Sequence, residues 1–146
     1  MEHEAYHITF INRTLKILDQ YQTLVMSNVP NTEQYEVTLL INCLLGLLIF
    51  PHELCYTKIP NLSVTNLQDW GILPEYVQDS TQQVDTLRQL VRRLRSSTAH
   101  GNAYPAGNGS EITDLVFEDD QNGFKARIPV NQLKLFVTKL GGSVQD

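Results

Sequence analysis

The chain has 146 residues and a formal net charge of -5 at pH 7, with 42% hydrophobic and 18% charged residues. This length predicts a single domain over residues 1–146, and the composition is that of an ordinary folded protein, which excludes the fibrous and disordered classes. The acidic balance excludes a protein that coats nucleic acid through its overall field, so any polyanion must meet a local basic patch.

The N-terminus and the longest apolar run predict a cytoplasmic protein without a membrane span. The first ten residues, MEHEAYHITF, lack the basic start and apolar core of a signal peptide. The run TLLINCLLGLLIF is shorter than the roughly 20 residues that a membrane span needs, and Asn42 interrupts it. Cys43 and Cys55 lack metal-ligand spacing, so a reducing compartment is the simplest interpretation.

Helical periodicity predicts two helices in the first third of the chain. Apolar residues between Ala5 and Met26 recur at helical spacing, which predicts an amphipathic helix. After the breaker segment SNVPNTEQ, the run YEVTLLINCLLGLLIF is apolar nearly all round and predicts a second helix that ends at Pro51. Such a helix is either the centre of the core or part of a dimer seam.

The middle of the chain predicts an irregular connection followed by a third helix. We expect the connection to run from His52 to Asp79, with short helical turns over 67–70 and 74–77. The third helix is predicted to begin near Ser80, with one apolar face formed by Val84, Leu87, Leu90, Val91 and Leu94. The segment GNAYPAGNGS after it predicts a loop.

The last part of the chain predicts a β-hairpin and one more helix. The alternating segments ITDLVFED and GFKARIPV flank Asp120 to Gly123, which is typical of a hairpin. Pro129 is expected to open a short last helix, which Gly141 and Gly142 would stop. The predicted fold class is therefore mainly all-α, a helical bundle with a small C-terminal β-hairpin.

The segment RRLRSSTAH, Arg92 to His100, brings chemistry-bearing residues to the end of the third helix. Ser96 and His100 are four residues apart and so share a helix face. Arg95 leaves the helix about 140° from His100, and its long side chain can turn back toward that face. One interpretation is a helix that simply ends, since histidine favours the last turn and Gly101 is the usual residue past a helix end. The other is a site that joins an imidazole, a hydroxyl and a guanidinium.

The segment RSSTAH, Arg95 to His100, resembles the R-x4-6-H motif of the HEPN superfamily, the higher eukaryotes and prokaryotes nucleotide-binding domains. The second helix, Tyr35 to Glu53, is similar to that of a small plasmid-associated subgroup, and the hairpin and last helix follow in the same order. The resemblance covers most of the chain from Glu33 to Leu140. It implies an up-and-down bundle of four to five helices.

In active members, the resemblance implies a metal-independent ribonuclease whose composite site takes an arginine and a histidine from each of two subunits. By motif position, the catalytic residues here are Arg95 and His100. The residue after the arginine is usually Asn, Asp or His in active members, and it is Ser96 in this chain. This departure leaves a second interpretation open, in which a catalytically degenerate dimer binds a nucleotide or a protein.

The candidate supporting groups outside the motif are Arg88, Arg92 and Asn42. Arg88 and Arg92 either hold RNA phosphates beside the site or form a solvated helix face paired with acidic residues. Arg93 points away from that line and is expected to be ordinary surface. Asn42 either braces the site or fixes the dimer register, although a satisfied core amide is the commoner role for such a residue.

The expected partners are an RNA substrate, a second copy of the chain, and an antitoxin or regulatory protein that restrains a nuclease of the toxin or antiviral-defence type. No metal and no cofactor are expected, because His3, His7 and His52 lack a convincing set of co-ligands. Tyr104 follows the motif and either stacks on an RNA base or packs within its own loop.

Overall fold

The structure, a computed structural model, describes residues 11–17, 19–20, 23, 41–48, 56–79, 84–108, 111–119 and 123–143 of the chain. Four helical segments are present in these ranges: residues 11–17, 19–20 and 23, labelled α1, residues 41–48, labelled α2, Leu87–Ala99 (α3) and Val130–Ser143 (α4). The strands are Val77–Asp79 (β1), Ala103–Asn108 (β2), Glu111–Asp119 (β3) and Phe124–Pro129 (β4).

The four strands form one antiparallel sheet in the order β1-β4-β3-β2. The prediction of a mainly all-α bundle with a small hairpin is therefore wrong, because the fold is mixed α/β with a four-stranded sheet. The predicted hairpin itself is confirmed as β3 and β4, with Phe117 opposite Ala126. The strands that the sequence did not predict extend this hairpin on both sides.

Strand β2 occupies the segment that was predicted to be a loop. It contains Pro105 and Gly107, which lower the intrinsic preference for a strand. Proline is tolerated at a sheet edge, where its missing N–H costs no ladder hydrogen bond, and β2 is an edge strand. The register also shifts between Ala106 and Gly107. Pairing with β3 therefore overrides the weak local preference.

The core lies between one face of the sheet and the helices. Side chains alternate along β4, with Phe124, Ala126 and Ile128 buried and the intervening residues exposed. Helix α3 packs against β3, and α4 packs against β3 and β4. The connection before α3 contains 3₁₀ turns, and the two predicted turns are confirmed: Gln68–Trp70 and Pro74–Tyr76.

Helix α3 begins at Leu87, later than the predicted start near Ser80. Thr86 is its N-cap, and its hydroxyl accepts a hydrogen bond from the Gln89 N–H at 3.3 Å. The Gln89 side chain accepts in return from the Thr86 N–H at 3.1 Å, which completes a capping box. The predicted apolar face is confirmed, since the following residues are fully buried: Leu87, Leu90, Val91 and Leu94.

Helix α4 continues through the glycines that were predicted to stop it. A Cβ on Gly141 would lie 2.8 Å from Cγ2 of Ile11 on α1, so the glycine permits a close approach of the two helices. No helix among the described residues is both long and apolar enough to cross a membrane.

The capping box predicts that Thr86→Ala lowers the free energy of unfolding by about 1 kcal/mol, because the substitution removes the acceptor for one helix N–H. Chemical denaturation monitored by circular dichroism measures this loss. Thr138→Ala is the matched control, since that exposed hydroxyl donates only to the Lys134 carbonyl within α4. We expect it to be neutral or slightly stabilising. Equal losses in the two variants would contradict a capping role.

Candidate active site at the C-terminal end of helix α3

Helix α3 ends in a Schellman motif at the predicted site. The Gly101 N–H donates to the Thr98 carbonyl at 3.1 Å, and the Asn102 N–H donates to the Ser97 carbonyl at 2.7 Å. Gly101 has a φ of 73°, the left-handed conformation that this ending requires. The two interpretations of the sequence therefore do not exclude each other, because an ordered helix stop carries the motif residues.

The backbone fixes His100 one helical turn after Ser96. The His100 N–H donates to the Ser96 carbonyl at 3.0 Å, although His100 itself is the C-cap and has left helical geometry. Its side chain is exposed. Arg95 is half-buried on the same helix end, with its Nε atom enclosed by protein. The site thus combines an accessible imidazole with a guanidinium that packing restrains.

The small polar residues between Arg95 and His100 do not fray the helix. The Ser97 hydroxyl donates to the Arg93 carbonyl at 2.9 Å, and the Thr98 hydroxyl donates to the Leu94 carbonyl at 2.8 Å. Such bonds to the carbonyl four residues back satisfy hydroxyls inside a helix. Ser97 is fully buried, so this last turn is held by packing as well as by hydrogen bonds.

Arg88 and Arg92 have different environments on α3. Arg88 donates from Nε to the Ile59 carbonyl at 2.8 Å and from Nη2 to the Thr57 carbonyl at 3.2 Å. Its guanidinium carbon also lies 5.9 Å from the centre of the Tyr56 ring, within the range of a cation–π contact. Arg88 therefore anchors the connecting segment, whereas Arg92 is exposed. Phosphate binding by these two residues stays a prediction.

Asn42 is exposed on α2, so the expectation of a satisfied core amide is wrong. The buried side of this helix consists of leucines: Leu44, Leu47 and Leu48. Cys43 is half-buried, and burial raises the pKa of its thiol, which favours the protonated form. A role for Asn42 at the site or in a dimer stays a prediction.

The structure adds an ion pair that the sequence analysis missed. Arg93 was expected to be ordinary surface, but its side chain is only 18% exposed and its Nη1 lies 3.9 Å from Oδ2 of Asp119. The Asp119 side chain is 7% exposed. The alternation of Leu115, Phe117 and Asp119 along ITDLVFED does put Asp119 on the core face, but it does not indicate which cation that carboxylate meets.

Tyr104 lies on the opposite face of the sheet from α3, where it is 43% exposed. Its hydroxyl donates to Oε1 of Glu118 at 2.8 Å, and the Lys125 ammonium lies 3.5 Å from the same oxygen. The ring is therefore held by its polar end on the sheet and does not lie in a flexible loop. Base stacking by Tyr104 stays a prediction.

Within the described ranges, no three side chains of His, Cys, Asp or Glu lie close enough together to bind a metal ion jointly. The histidines considered in the sequence analysis, His3, His7 and His52, lie outside the described residues, as does Cys55.

The chain belongs to a HEPN family. The family model described as HEPN pEK499 p136 matches residues 1–145, which is nearly the whole chain. No curated protein and no solved structure matches the chain. The resemblance inferred from the R-x4-H motif, the second helix and the order of the later elements is thereby confirmed at the level of the family.

The left-handed backbone at Gly101 predicts that Gly101→Ala lowers the free energy of unfolding by about 1 kcal/mol, because a Cβ disfavours this conformation. The surrounding space is open, so the cost is conformational only. Gly142→Ala is the matched control: this helical glycine also has open space, and alanine there should stabilise by up to about 1 kcal/mol. Thermal or urea denaturation separates the two signs, and a neutral Gly101→Ala would contradict the Schellman ending.

The hydrogen bond to Glu118 raises the pKa of Tyr104, and the negative charge of that carboxylate acts in the same direction. Because the folded pKa is raised, the stabilisation from this contact is present below the unfolded pKa and is lost as pH rises through the folded value. Titration of ¹³Cζ-tyrosine by NMR, assigned with Tyr104→Phe, should place Tyr104 above its ordinary value. Glu118→Gln should lower the pKa, and an unchanged titration would contradict this cause.

Proposed function

We propose that this protein is a metal-independent endoribonuclease that acts as a homodimer, with Arg95 and His100 as its catalytic residues. The observation that carries the proposal is the exposed imidazole of His100 at an ordered helix end, in a segment that resembles the R-x4-6-H motif and in a chain that belongs to a HEPN family. Histidine is the side chain that ordinarily changes charge between pH 5 and 8, which suits proton transfer without a metal.

The proposed reaction is attack by a ribose 2′-hydroxyl on the adjacent phosphorus. One His100 accepts the proton of the 2′-hydroxyl as the P–O2′ bond forms. A second imidazole donates a proton to the 5′-oxygen as the P–O5′ bond breaks. The products are a 2′,3′-cyclic phosphate and a free 5′-hydroxyl, and DNA is not a substrate because it lacks the nucleophile.

Arg95 is proposed to stabilise the charge that develops on the phosphoryl oxygens. A guanidinium presents a planar set of N–H donors that matches phosphate geometry, and packing reduces the reorganisation needed at the moment of reaction. Arg95 is half-buried next to the helix end, which supports such a fixed cation.

A homodimer is proposed because the reaction needs two imidazoles, one as the base and one as the acid. One helix end carries a single histidine, and one histidine does not act as base and acid in the same step. A composite site in which each of two subunits supplies Arg95 and His100 would provide both. Asn42 on α2, exposed in the single chain, is a candidate contact at the subunit interface.

RNA binding beside the site is proposed to use α3. Arg92 is exposed and free of steric cover, so it is the better candidate for a phosphate contact than Arg88, which donates to two backbone carbonyls. Ser96, half-buried and one turn before His100, would contribute a hydrogen-bonding group at the position where active members usually have Asn, Asp or His.

An endoribonuclease of this type would threaten the cell that makes it. We therefore propose a cytoplasmic role in toxin–antitoxin pairing or antiviral defence, with an antitoxin or regulatory protein that holds the activity in check. The net charge of -5 disfavours general RNA coating, so RNA binding would rely on a local basic surface.

The proposal predicts cleavage of labelled single-stranded RNA by the wild type in excess EDTA, with cyclic phosphate ends. His100→Ala should lower kcat by about 10²–10⁴-fold, since the proton-transfer group is lost. Arg95→Ala should lower kcat by about 10²-fold or more, as expected for loss of transition-state stabilisation. Arg127→Ala is the control, because that arginine pairs with Asp114 on the far face of the sheet.

The alternative is a catalytically degenerate HEPN dimer that binds a nucleotide or a protein, and Ser96 after Arg95 is the feature that favours it. Light scattering gives the oligomeric state in the same samples. A folded dimer that leaves RNA intact, and whose RNA or nucleotide affinity falls in Arg95→Ala, would favour this alternative. A monomeric wild type that cleaves RNA would reject the composite site.

A further inference from the structure

We infer that Asp119, through Arg93, is a positioning residue for the end of α3 that carries Arg95 and His100. The expected effect on catalysis rests on the proposed function, whereas the expected effect on the order of the helix end does not depend on it. It assigns a role to a buried carboxylate and to an arginine that lie outside the R-x4-H motif.

The end of β3 contacts α3 and the segment after it on both sides of the motif. Before the motif, Oδ2 of Asp119 lies 3.9 Å from Nη1 of Arg93. After the motif, the Glu118 N–H donates to the Asn102 carbonyl at 2.9 Å. Two consecutive residues of β3 thus contact both sides of the motif. Asp119 contacts Arg93, two residues before Arg95, and Glu118 contacts Asn102, two residues after His100.

The contacts between these two points transmit the restraint along the helix. The carbonyl of Arg93 accepts from the buried Ser97 hydroxyl, and the Ser97 carbonyl accepts from the Asn102 N–H. Asn102 in turn is bonded to Glu118. The last turn of α3 is therefore part of a closed series of contacts that begins and ends on β3.

An aspartate at position 119 is better explained by a role in orienting α3 on β3 than by a contribution to the stability of the fold. Asp119 shares the core face with Leu115 and Phe117 and faces Phe124 across the hairpin, where an apolar side chain would fit the pattern. Burying an ion pair seldom stabilises a fold more than apolar packing does. A charged pair does restrict how the helix lies on the strand, since Arg93 must remain close to a fixed carboxylate.

The test compares Asp119→Asn with Asp114→Asn. Both changes remove one carboxylate charge from β3, but Asp114 pairs with Arg127 on the face away from α3, with 2.9 Å between the two atoms. We expect Asp119→Asn to lower kcat for RNA cleavage by about 10- to 100-fold, the effect of displacing a catalytic group by about 1 Å, with KM changed less than about twofold. Asp114→Asn should leave kcat unchanged.

Conservative variants of the arginine provide a rescue experiment. Arg93→Lys keeps a cation near Asp119 and should retain most of kcat, whereas Arg93→Gln should behave like Asp119→Asn. In a double-mutant cycle, Arg93→Gln and Asp119→Asn together should lower kcat no more than either change alone, because both remove the same contact.

Hydrogen exchange at the amides of Gly101 and Asn102 gives a readout that does not depend on activity. Exchange there should accelerate in Asp119→Asn by more than any loss of its global stability accounts for, and not in Asp114→Asn. Unchanged local exchange overturns the inference, as does an unchanged kcat in an active enzyme or an equal effect in both variants. If the wild type does not cleave RNA, the proposed function fails, and hydrogen exchange alone decides whether Asp119 holds the helix end.

Discussion

The docking of α3 on strand β3 is the constraint on which the candidate site depends. One face of α3 is a continuous row of buried aliphatic side chains, and β3 presents Leu115 and Phe117 to the same core. Because apolar burial is the largest favourable term in folding, this contact fixes the position of the helix before any polar group is considered. The exposed histidine is then held at a defined place by a helix end that is itself anchored to the sheet. A site on such an element is better ordered than one on a loop.

The polar groups at this helix end have two different roles: some end the helix, and the others are available for the proposed chemistry. Gly101 permits the turn that satisfies the last carbonyls of α3, and the hydroxyls of Ser97 and Thr98 bond back into the helix. These contacts leave His100 and Arg95 as the titratable and cationic groups that the proposed chemistry uses. The same short segment can therefore both end the helix and carry the proposed site. Mainly backbone groups end the helix, whereas side chains would carry out the chemistry.

The four-stranded sheet is a main part of this fold, and it contacts the candidate site directly. Strand β1 precedes α3 and the other three strands follow it, and the helix end passes through Gly101 and Asn102 directly into β2. Strand β3 is therefore hydrogen-bonded to the segment that leaves the site as well as packed under the helix that enters it. Glu118 contributes to both faces of the sheet. Its backbone N–H donates to the Asn102 carbonyl, and its side chain accepts a hydrogen bond from the Tyr104 hydroxyl on the face away from α3.

The sequence by itself determined the elements whose signals are local. The apolar face of α3, the β3–β4 hairpin, the helix end at Gly101 and the motif from Arg95 to His100 follow from periodicity, turn residues and spacing. Tertiary structure decided the rest, because the deciding interactions join distant residues. Strand β2 has a weak preference of its own and forms by pairing with β3, the short strand β1 forms by pairing with β4, and α4 runs through Gly141 because Ile11 lies against it. The environment of Arg93 likewise became visible only when β3 brought Asp119 beneath the helix, since a charge on α3 gives no sign of which strand it will meet.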